Sequence, residues 1–360
     1  MQKIKFSKFE LAFKIVLTIF VISIFCFIFF CESIVLRLFG HGEYIDIMSG
    51  DFQVSFIDVK QGDCTLIKYK NISFVIDTGE SVNAEGTSSS LKNLNGKDDI
   101  DYLILTHSDS DHVGGAKRVF DEFNVKNLLR PKVLAKGENE TFGIENDFMI
   151  ETNTHYNDAI NSAYKEKECK ISYINTETIF ENEEFLFEIL YPDNDDLNKD
   201  DENSYSAVAK VVYKGQTFLF MADADFEIEQ KLIKRYGDKL NCDVLKVAHH
   251  GSNEATSVDF LNVATPKYSV ISVGEKGIKN YGHAGEELKK RIYDSGSAIL
   301  QTSKNGNILF GESINENCVC IKNFPSLPYA IISVICAILI FVIWGVKIKN
   351  KEKKNKSTSF

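Results

Sequence analysis

The chain has 360 residues, enough for one large domain or two of ordinary size. Hydrophobic residues make up 44% of it and charged residues 26%, a composition that excludes a mainly disordered chain. The net charge is −10, but residues 1–44 carry +2 and residues 326–360 carry +5, so the residues between them carry −17. An acidic body therefore lies between two basic ends.

The first predicted element is an apolar segment over residues 15–31, which contains no charged residue. Its seventeen residues are at the lower limit for a helix that crosses a bilayer. A cleaved signal peptide is the alternative, but the following residues, "ESIVLRLFG", offer no small-x-small cleavage site. We therefore expect residues 1–44 to form a basic, cytoplasmic amino-terminus followed by a retained transmembrane helix.

The body of the chain alternates between strand and helix patterns. Strands are predicted over 52–59, 64–69 and 72–77, and a buried strand over 101–106 precedes a helix over 116–123. The later predicted elements are a helix over 156–167, a hairpin of 206–213 and 216–223, a helix over 226–237, strands over 242–248 and 268–274, a helix over 285–296, and a hairpin of 297–302 and 306–312. This order predicts an α/β fold in which two sheets pack face to face with helices outside, αββα.

The segment "LILTHSDSDHVGG" (103–115) carries four polar side chains directly after a buried strand, namely His107, Asp109, Asp111 and His112. Imidazole and carboxylate groups are ligands for divalent ions such as Zn and Mn. The alternative is a polar turn with an N-capping aspartate and solvated histidines. Because such a cluster is costly unless it is paired or metallated, we predict metal binding. Four side chains of these types can contribute ligands to two ions.

Further acidic and histidine side chains stand at the ends of other predicted strands. Asp77 ends "FVID", Asp223 ends "FLFMAD", and His249 and His250 follow "VLKVA". His283 lies in "NYGHAGEEL". Taken singly, these residues are compatible with simple capping of turns. Together they predict a constellation on one rim of the fold, in which the Asp223 carboxylate could bridge two metal ions.

The last predicted element is a second apolar segment, residues 323–346, with Tyr329 and Trp344 near its ends as interfacial anchors. Most lysines near the two apolar segments lie before the first or after the second. The positive-inside rule then predicts a two-span protein of the cell membrane, with both termini cytoplasmic and the acidic domain extracytoplasmic. We assign residues 45–322 to that domain, 323–347 to a transmembrane helix and 348–360 to a basic cytoplasmic tail.

Seven segments, in this order, resemble the metallo-β-lactamase fold and, more narrowly, the hydrolase domain of ComEC competence proteins and their stand-alone relatives. They are "FIDVKQGDCTLI" (56–67), "FVIDTGE" (74–80), "LTHSDSDHVGG" (105–115), "NSYSAV" (203–208), "FMADAD" (220–225), "VLKVAHHGS" (244–252) and "ISVGEKGIKNYGHAGEEL" (271–288). The resemblance covers roughly residues 52–311. It implies a four-layer αββα sandwich and a metal-dependent hydrolase with two divalent ions, Zn or Mn.

The resemblance also implies roles by position. His107 and Asp109 would bind one ion, Asp111 and His112 the other, and Asp223 would bridge the two.

One histidine from "VLKVAHHGS" would complete the second site, and we prefer His249, which directly follows the strand, to His250. The middle histidine of the superfamily has no clear counterpart, and His155 is the candidate in that interval. Asp77 would orient a ligand histidine from behind. The residues implied to face the substrate are His283, Asn203 and Ser252.

The predicted activity is hydrolysis of a phosphodiester by a metal-activated hydroxide, with Asp111 or Asp223 as the group that takes the proton. The substrate would be a nucleic acid or a cell-envelope phosphodiester, although the charge of −17 opposes binding of a phosphate backbone. Basic residues that could line the site are Lys246, Lys276 and Lys279. There is no P-loop or Rossmann glycine pattern, so no nucleotide cofactor is predicted.

Two further points limit the predicted function. ComEC proteins carry a many-helix channel, whereas this chain has two apolar segments, so DNA transport is not predicted.

The non-enzymatic alternative is a membrane-anchored binding module built on a catalytically retired hydrolase fold. The full set of acidic and histidine side chains speaks against that alternative, because without a metal it would leave buried carboxylates unpaired.

Overall fold

The structure is a computed structural model that describes residues 8–30, 34, 36, 42–136, 152–166, 168–193, 197, 201–314, 318–322 and 327–345. The predicted basic tail, 348–360, and the first seven residues of the basic amino-terminus lie outside the described residues. The chain divides into two compact units, one made of residues 1–45 and 323–360, and the other of residues 46–322.

The helices are α1 (Lys8–Phe30), α2 (Gly42–Ser49), α3 (Ala84–Asn95), α4 (Ser110–Val113), α5 (Ala116–Glu122), α6 (Thr154–Ala163), α7 (Phe226–Tyr236), α8 (Val258–Ala264), α9 (Glu286–Asp294), α10 (Thr302–Asn305) and α11 (Leu327–Gly345). The strands are β1 (Phe52–Phe56), β2 (Thr65–Tyr69), β3 (Ile72–Ile76), β4 (Asp99–Ile104), β5 (Asn124–Arg130), β6 (Lys170–Tyr173), β7 (Glu177–Glu181), β8 (Phe185–Tyr191), β9 (Val208–Tyr213), β10 (Gln216–Phe220), β11 (Val244–Lys246), β12 (Tyr268–Ile271), β13 (Ala298–Gln301), β14 (Asn307–Phe310) and β15 (Cys318–Ile321).

The first unit contains the two apolar helices, α1 and α11. Among the described residues, one helix segment, Lys8–Cys26, is long and apolar enough to cross a membrane, and a signal sequence would meet the same criterion. The apolar stretch described within α11, Ile332–Trp344, is shorter than the roughly 20 residues that a span requires. The two-span topology therefore stays a prediction.

The second unit is built on two sheets. The first has eight strands in the order β15-β14-β1-β2-β3-β4-β5-β6, and the second has seven in the order β13-β12-β11-β10-β9-β8-β7. In the first sheet β3, β4, β5 and β6 run parallel, and in the second β10, β11, β12 and β13 do so. The parallel strands of each sheet direct their carboxyl ends to one edge, where the connecting loops collect.

The two sheets pack face to face across an aromatic core. Side chains alternate along a strand, so Phe52, Val54 and Phe56 of β1 point into this core, while Gln53 and Ser55 hydrogen-bond to each other on the other face. Phe52 stacks on Tyr213 of the opposite sheet with ring centroids 4.3 Å apart, and Tyr69 stacks on Phe185 at 4.6 Å. Such pairs add about 0.5–1.5 kcal/mol each beyond the burial of their area.

Helices cover the outer face of the second sheet. Amphipathic α7, α8 and α9 bury apolar residues, among them Leu232, Phe260 and Leu288, in a second hydrophobic cluster with β10, β11 and β12. α7 begins where the Asp225 side chain accepts a hydrogen bond from the Ile228 backbone N–H at 2.9 Å. The α/β fold with two stacked sheets and external helices, predicted from the sequence, is confirmed.

One predicted pairing is wrong. The segments 297–302 and 306–312 form strands, β13 and β14, but they do not form a hairpin. β13 pairs in parallel with β12 in the second sheet, and β14 pairs antiparallel with β1 in the first. The short helix α10 and Gly306, with φ at 75°, carry the chain from one sheet to the other. Apolar alternation identifies a strand but not its partner.

Candidate metal centre

The loops that follow β1, β3, β4, β10, β11 and β12 meet at one cavity of about 450 Å³. Its lining is rich in acidic and histidine side chains, and consists of Gln61, Glu80, Asp109, Ser110, Asp111, Asn153, Asp223, His249, His250, Lys276, Tyr281 and His283. Both sheets contribute to it, because Asp109 and Asp111 follow β4 of the first sheet, whereas Asp223 and the two histidines follow β10 and β11 of the second.

His112 is fixed from behind by Asp77. The Nδ1 atom of His112 lies 2.7 Å from Asp77 Oδ2, and Asp77 also accepts hydrogen bonds from the Thr106 backbone N–H at 2.8 Å and the Thr106 hydroxyl at 2.7 Å. All three residues are buried. The carboxylate therefore holds the ring so that Nε2 points at Asp223 Oδ1, 3.2 Å away.

His250 is fixed in a matching way from the second sheet. Its Nδ1 lies 3.1 Å from the Ser272 carbonyl oxygen and 3.3 Å from Asp63 Oδ1. Since a carbonyl oxygen only accepts, Nδ1 carries a hydrogen, and in the neutral ring Nε2 is then the acceptor. That Nε2 lies 3.2 Å from Asp111 Oδ2 and 3.4 Å from Asp223 Oδ2.

These two rings make the centre fit a metal ion. The Nε2 atoms of His112 and His250 are 3.2 Å apart, so two nitrogen acceptors face each other unless a cation or a proton lies with them. Two imidazole nitrogens bound to one tetrahedral zinc ion lie roughly 3.3 Å apart. Asp63, His112, Asp223 and His250 each offer an atom within 4.8 Å of the others, and all four are buried. This donor set suits a divalent cation.

A second group of candidate ligands also lies near Asp223. The Nε2 atom of His107 is buried without a hydrogen-bond partner among the residues that the structure describes. It lies 3.6 Å from Asp109 Oδ2 and 4.0 Å from Asp223 Oδ2. His249 Nε2 lies 3.7 Å from the same Asp223 oxygen. Asp109 stands at the N-cap position of α4 but makes no capping hydrogen bond, so the capping interpretation does not account for it.

The charges in the centre depend on one another. Burial alone would lower the pKa of His112 and of His250, but the neighbouring carboxylates, Asp223 first, raise both pKa values well above the usual range. Burial would raise the pKa of Asp111, yet His250 and His112 hold it well below its usual range. The centre is thus an ion cluster in which any metal must displace protons from the histidines.

Two buried residues of this centre, Gln61 and Asp63, were given no role from the sequence. Gln61 Nε2 donates to Asp111 Oδ2 at 3.2 Å, and Asp63 forms a buried ion pair with Lys246. Both residues stand in the segment "FIDVKQGDCTLI", but their partners lie far along the chain. Gly62 between them has φ at 102°, and a Cβ there would lie 1.8 Å from the Asp111 carbonyl oxygen, so this loop can approach Asp111 closely only with glycine.

The remaining predicted residues divide into two groups. His283 lines the cavity with its ring 5.4 Å from that of His249, and burial together with His250 and His249 lowers its pKa to about 4. Asn203, Ser252 and His155 do not line the cavity; His155 Nε2 lies 3.4 Å from the Ser81 hydroxyl.

The three lysines predicted to line the site lie in different places. Lys276 lines the cavity, Lys246 lies behind it with Asp63, and Lys279 pairs with Glu275 at 2.8 Å.

We predict that Asp77→Asn lowers metal affinity about 10–100-fold, because the amide cannot hold the His112 ring as the carboxylate does. Competition with a chromogenic chelator would measure the change. Asp101→Asn is the matched control, since Asp101 also accepts a backbone hydrogen bond, from Ser73 at 2.9 Å, but its carboxylate pairs with Lys97 and Lys126. Equal metal affinities for the two variants would contradict the orienting role.

Comparison with known proteins identifies the superfamily. The sequence profile of the Metallo-beta-lactamase superfamily matches residues 57–275, well over half of the chain. The chain belongs to this superfamily, whose members are generally metal-dependent hydrolases. A solved structure of a protein with this fold, YhfI from Bacillus subtilis, is 13% identical with a TM-score of 0.42, and the match covers 70% of this chain and 96% of YhfI.

Within the superfamily the chain is ComEC-like. It is 25% identical over 280 residues to ComE operon protein 3 of Bacillus subtilis (strain 168), a match that covers 73% of this chain and 33% of the relative. It is 29% identical over 258 residues to Competence protein ComA of Neisseria gonorrhoeae, covering 72% of this chain and 32% of the relative. The chain thus spans about a third of the length of these curated relatives.

Proposed function

We propose that this chain is a membrane-anchored phosphodiesterase that uses two divalent ions, Zn or Mn. The observation that carries the proposal is the pair of Nε2 atoms of His112 and His250, which lie 3.2 Å apart in a buried site and face the carboxylates of Asp223 and Asp111. A buried arrangement of this kind is costly without a cation.

Asp223 would belong to both ligand sets, because it lies near all four histidines. His107, Asp109 and Asp223 would hold one ion, with His249 beside them. Asp111, His112, His250 and Asp223 would hold the other. His250 replaces the preferred His249 in this second set, because its side chain is 2% exposed and its Nε2 faces Asp111, whereas that of His249 is 32% exposed.

Metal ions in such a site lower the pKa of water and neutralise charge on phosphate oxygens. The chain itself supplies orientation and proton transfer. Asp77 and Ser272 hold the two histidine rings, Asp111 or Asp223 takes a proton from the attacking water, and His283 faces the cavity as a neutral imidazole above about pH 4. Gln61 keeps the Asp111 carboxylate in position.

We extend the proposal to location. Residues 1–44 anchor the domain in the cell membrane, residues 323–347 form a second span, both termini are cytoplasmic and the domain faces outward. The apolar helix segment Lys8–Cys26 supports the association with the membrane, and the similarity to a competence protein supports a role related to competence. The acidic lining of the cavity supports a cell-envelope phosphodiester over a long nucleic-acid backbone.

A substrate screen tests the proposed function. The full chain, purified in detergent and stripped of metal, should hydrolyse bis(p-nitrophenyl) phosphate after addition of Mn or Zn and not in the presence of a chelator. Single-stranded DNA in a parallel assay distinguishes a nuclease from an enzyme of small or envelope diesters. Bound metal without turnover of either substrate would contradict the phosphodiesterase and support the binding module.

A further inference from the structure

The cavity of the metal centre holds one basic side chain that its chemistry does not yet use. Four acidic side chains line the cavity, and Lys276 is the single Lys or Arg among the described lining residues. Its Nζ contacts Glu80 Oε1 in an ion pair that connects the loop after β3 with the loop after β12. The Lys276 side chain is 49% exposed and that of Glu80 is 13% exposed, so the ammonium group is open to solvent.

The backbone that carries Lys276 is fixed relative to the metal centre. A Cβ at Gly274 would lie 2.4 Å from the Lys60 carbonyl oxygen, and a Cβ at Gly277 would lie 2.2 Å from Gln61 Oε1. The two loops are therefore packed together without space for side chains. Because Gln61 in turn donates to Asp111 at 3.2 Å, the base of the Lys276 side chain has a defined position with respect to a proposed metal ligand.

The ion pair with Glu80 is open from the lysine side, because half of the Lys276 side chain is exposed while Glu80 is mostly buried. A lysine binds phosphate as a compact point charge through charge-assisted hydrogen bonds, so a phosphate that reaches this exposed side competes with the carboxylate. A cavity of about 450 Å³ has room for more than one phosphodiester group. An anionic group of the substrate can thus take the place of Glu80 on Lys276.

We propose that Lys276 is a specificity-determining residue that leaves Glu80 and binds a second phosphate group of the substrate, next to the one that is cleaved. Glu80 competes with the substrate for Lys276, and this competition disfavours substrates with a single phosphate. This inference rests on the proposed phosphodiesterase function and names the feature of the substrate that the enzyme recognises. A repeated phosphate occurs both in nucleic acids and in polyol phosphate polymers, and the recognition chemistry is the same.

Matched substrates test the proposal. Thymidine 5′-(p-nitrophenyl phosphate) with and without a 3′-phosphate share one scissile bond, and the p-nitrophenyl diesters of glycerol and of glycerol phosphate provide the same comparison without a nucleoside. The native protein should show a kcat/KM about tenfold higher for the phosphorylated member of each pair. Lys276→Met should remove this ratio, Glu80→Gln should increase it through a lower KM, and Lys279→Met should leave it unchanged. Lys279 is the control because it is 70% exposed, pairs with Glu275 and does not line the cavity.

The outcomes separate the two proposals. A ratio that survives in Lys276→Met, or a native protein without preference, overturns the role of Lys276 while the phosphodiesterase stands. A preference confined to the nucleoside pair also overturns it, since the lysine would then not be reading phosphate alone. If no diester is hydrolysed, calorimetric binding of thymidine 3′,5′-bisphosphate against the 5′-monophosphate applies the same test without turnover. Equal affinity loss for both ligands in Lys276→Met would then contradict the inference.

Discussion

Replacing Asp223 with alanine is expected to lower kcat on an aryl phosphodiester on the order of a thousandfold, equivalent to about 4 kcal/mol of transition-state stabilisation. Asp223 is buried and lies within 4.0 Å of ring nitrogens of His107, His112, His249 and His250. It is the carboxylate common to both proposed ligand sets. Metal content, measured by mass spectrometry, should fall below that of the native protein together with turnover.

Asp225→Ala is the control for this variant. Asp225 lies two residues further on and caps α7 through the Ile228 backbone N–H. Its loss should cost about 1 kcal/mol of folding free energy and leave metal content unchanged. Native turnover by Asp223→Ala would show that the assignment of a bridging carboxylate is wrong.

Removal of the proposed metal ions is the second change with a large expected effect. A ligand that binds only the folded state at 100 times its Kd stabilises by about 2.7 kcal/mol. For a domain of this size, that corresponds to a fall in Tm of roughly 5 °C on chelation. Differential scanning calorimetry with and without a chelator would measure it, and identical transitions would contradict metal binding. Asp223→Ala should show a smaller difference than the native protein.

The effect of chelation should also depend on pH. Carboxylates raise the pKa of His112 and His250 in the metal-free protein, so protons occupy these rings over a wider range of pH. A histidine must be neutral to bind a metal, and lower pH therefore favours the protonated, metal-free form. The difference in Tm between the metal-bound and chelated protein should shrink as the pH falls.

Sequence patterns predicted the two sheets and most of the polar residues at their edge, because buried strands and short acidic or histidine clusters have local signatures. The choice between His249 and His250 has no such signature. Both residues have positive φ, 47° and 49°, and this tight turn directs the second ring, not the first, into the buried centre. Proximity to the strand end favoured His249. The left-handed backbone conformation of both histidines instead places the His250 ring in the buried centre.

The roles of Gln61 and Asp63 could not be predicted from the sequence either. Each acts on a partner that only the packing of distant loops brings near, Asp111 in one case and Lys246 in the other. The transfer of the chain from β13 to β14 was missed for the same reason, since pairing between strands is set by the arrangement of whole sheets.

The two halves of the centre come from different sheets, with His112 following the first four strands and His250 following β11. Neither half of the polypeptide alone can bring the two Nε2 atoms together. Contacts between residues so far apart in sequence form late and slowly during folding. Binding of the proposed metal ions would therefore report that assembly of the domain is complete, and a chain halted midway through synthesis would hold only separated candidate ligands.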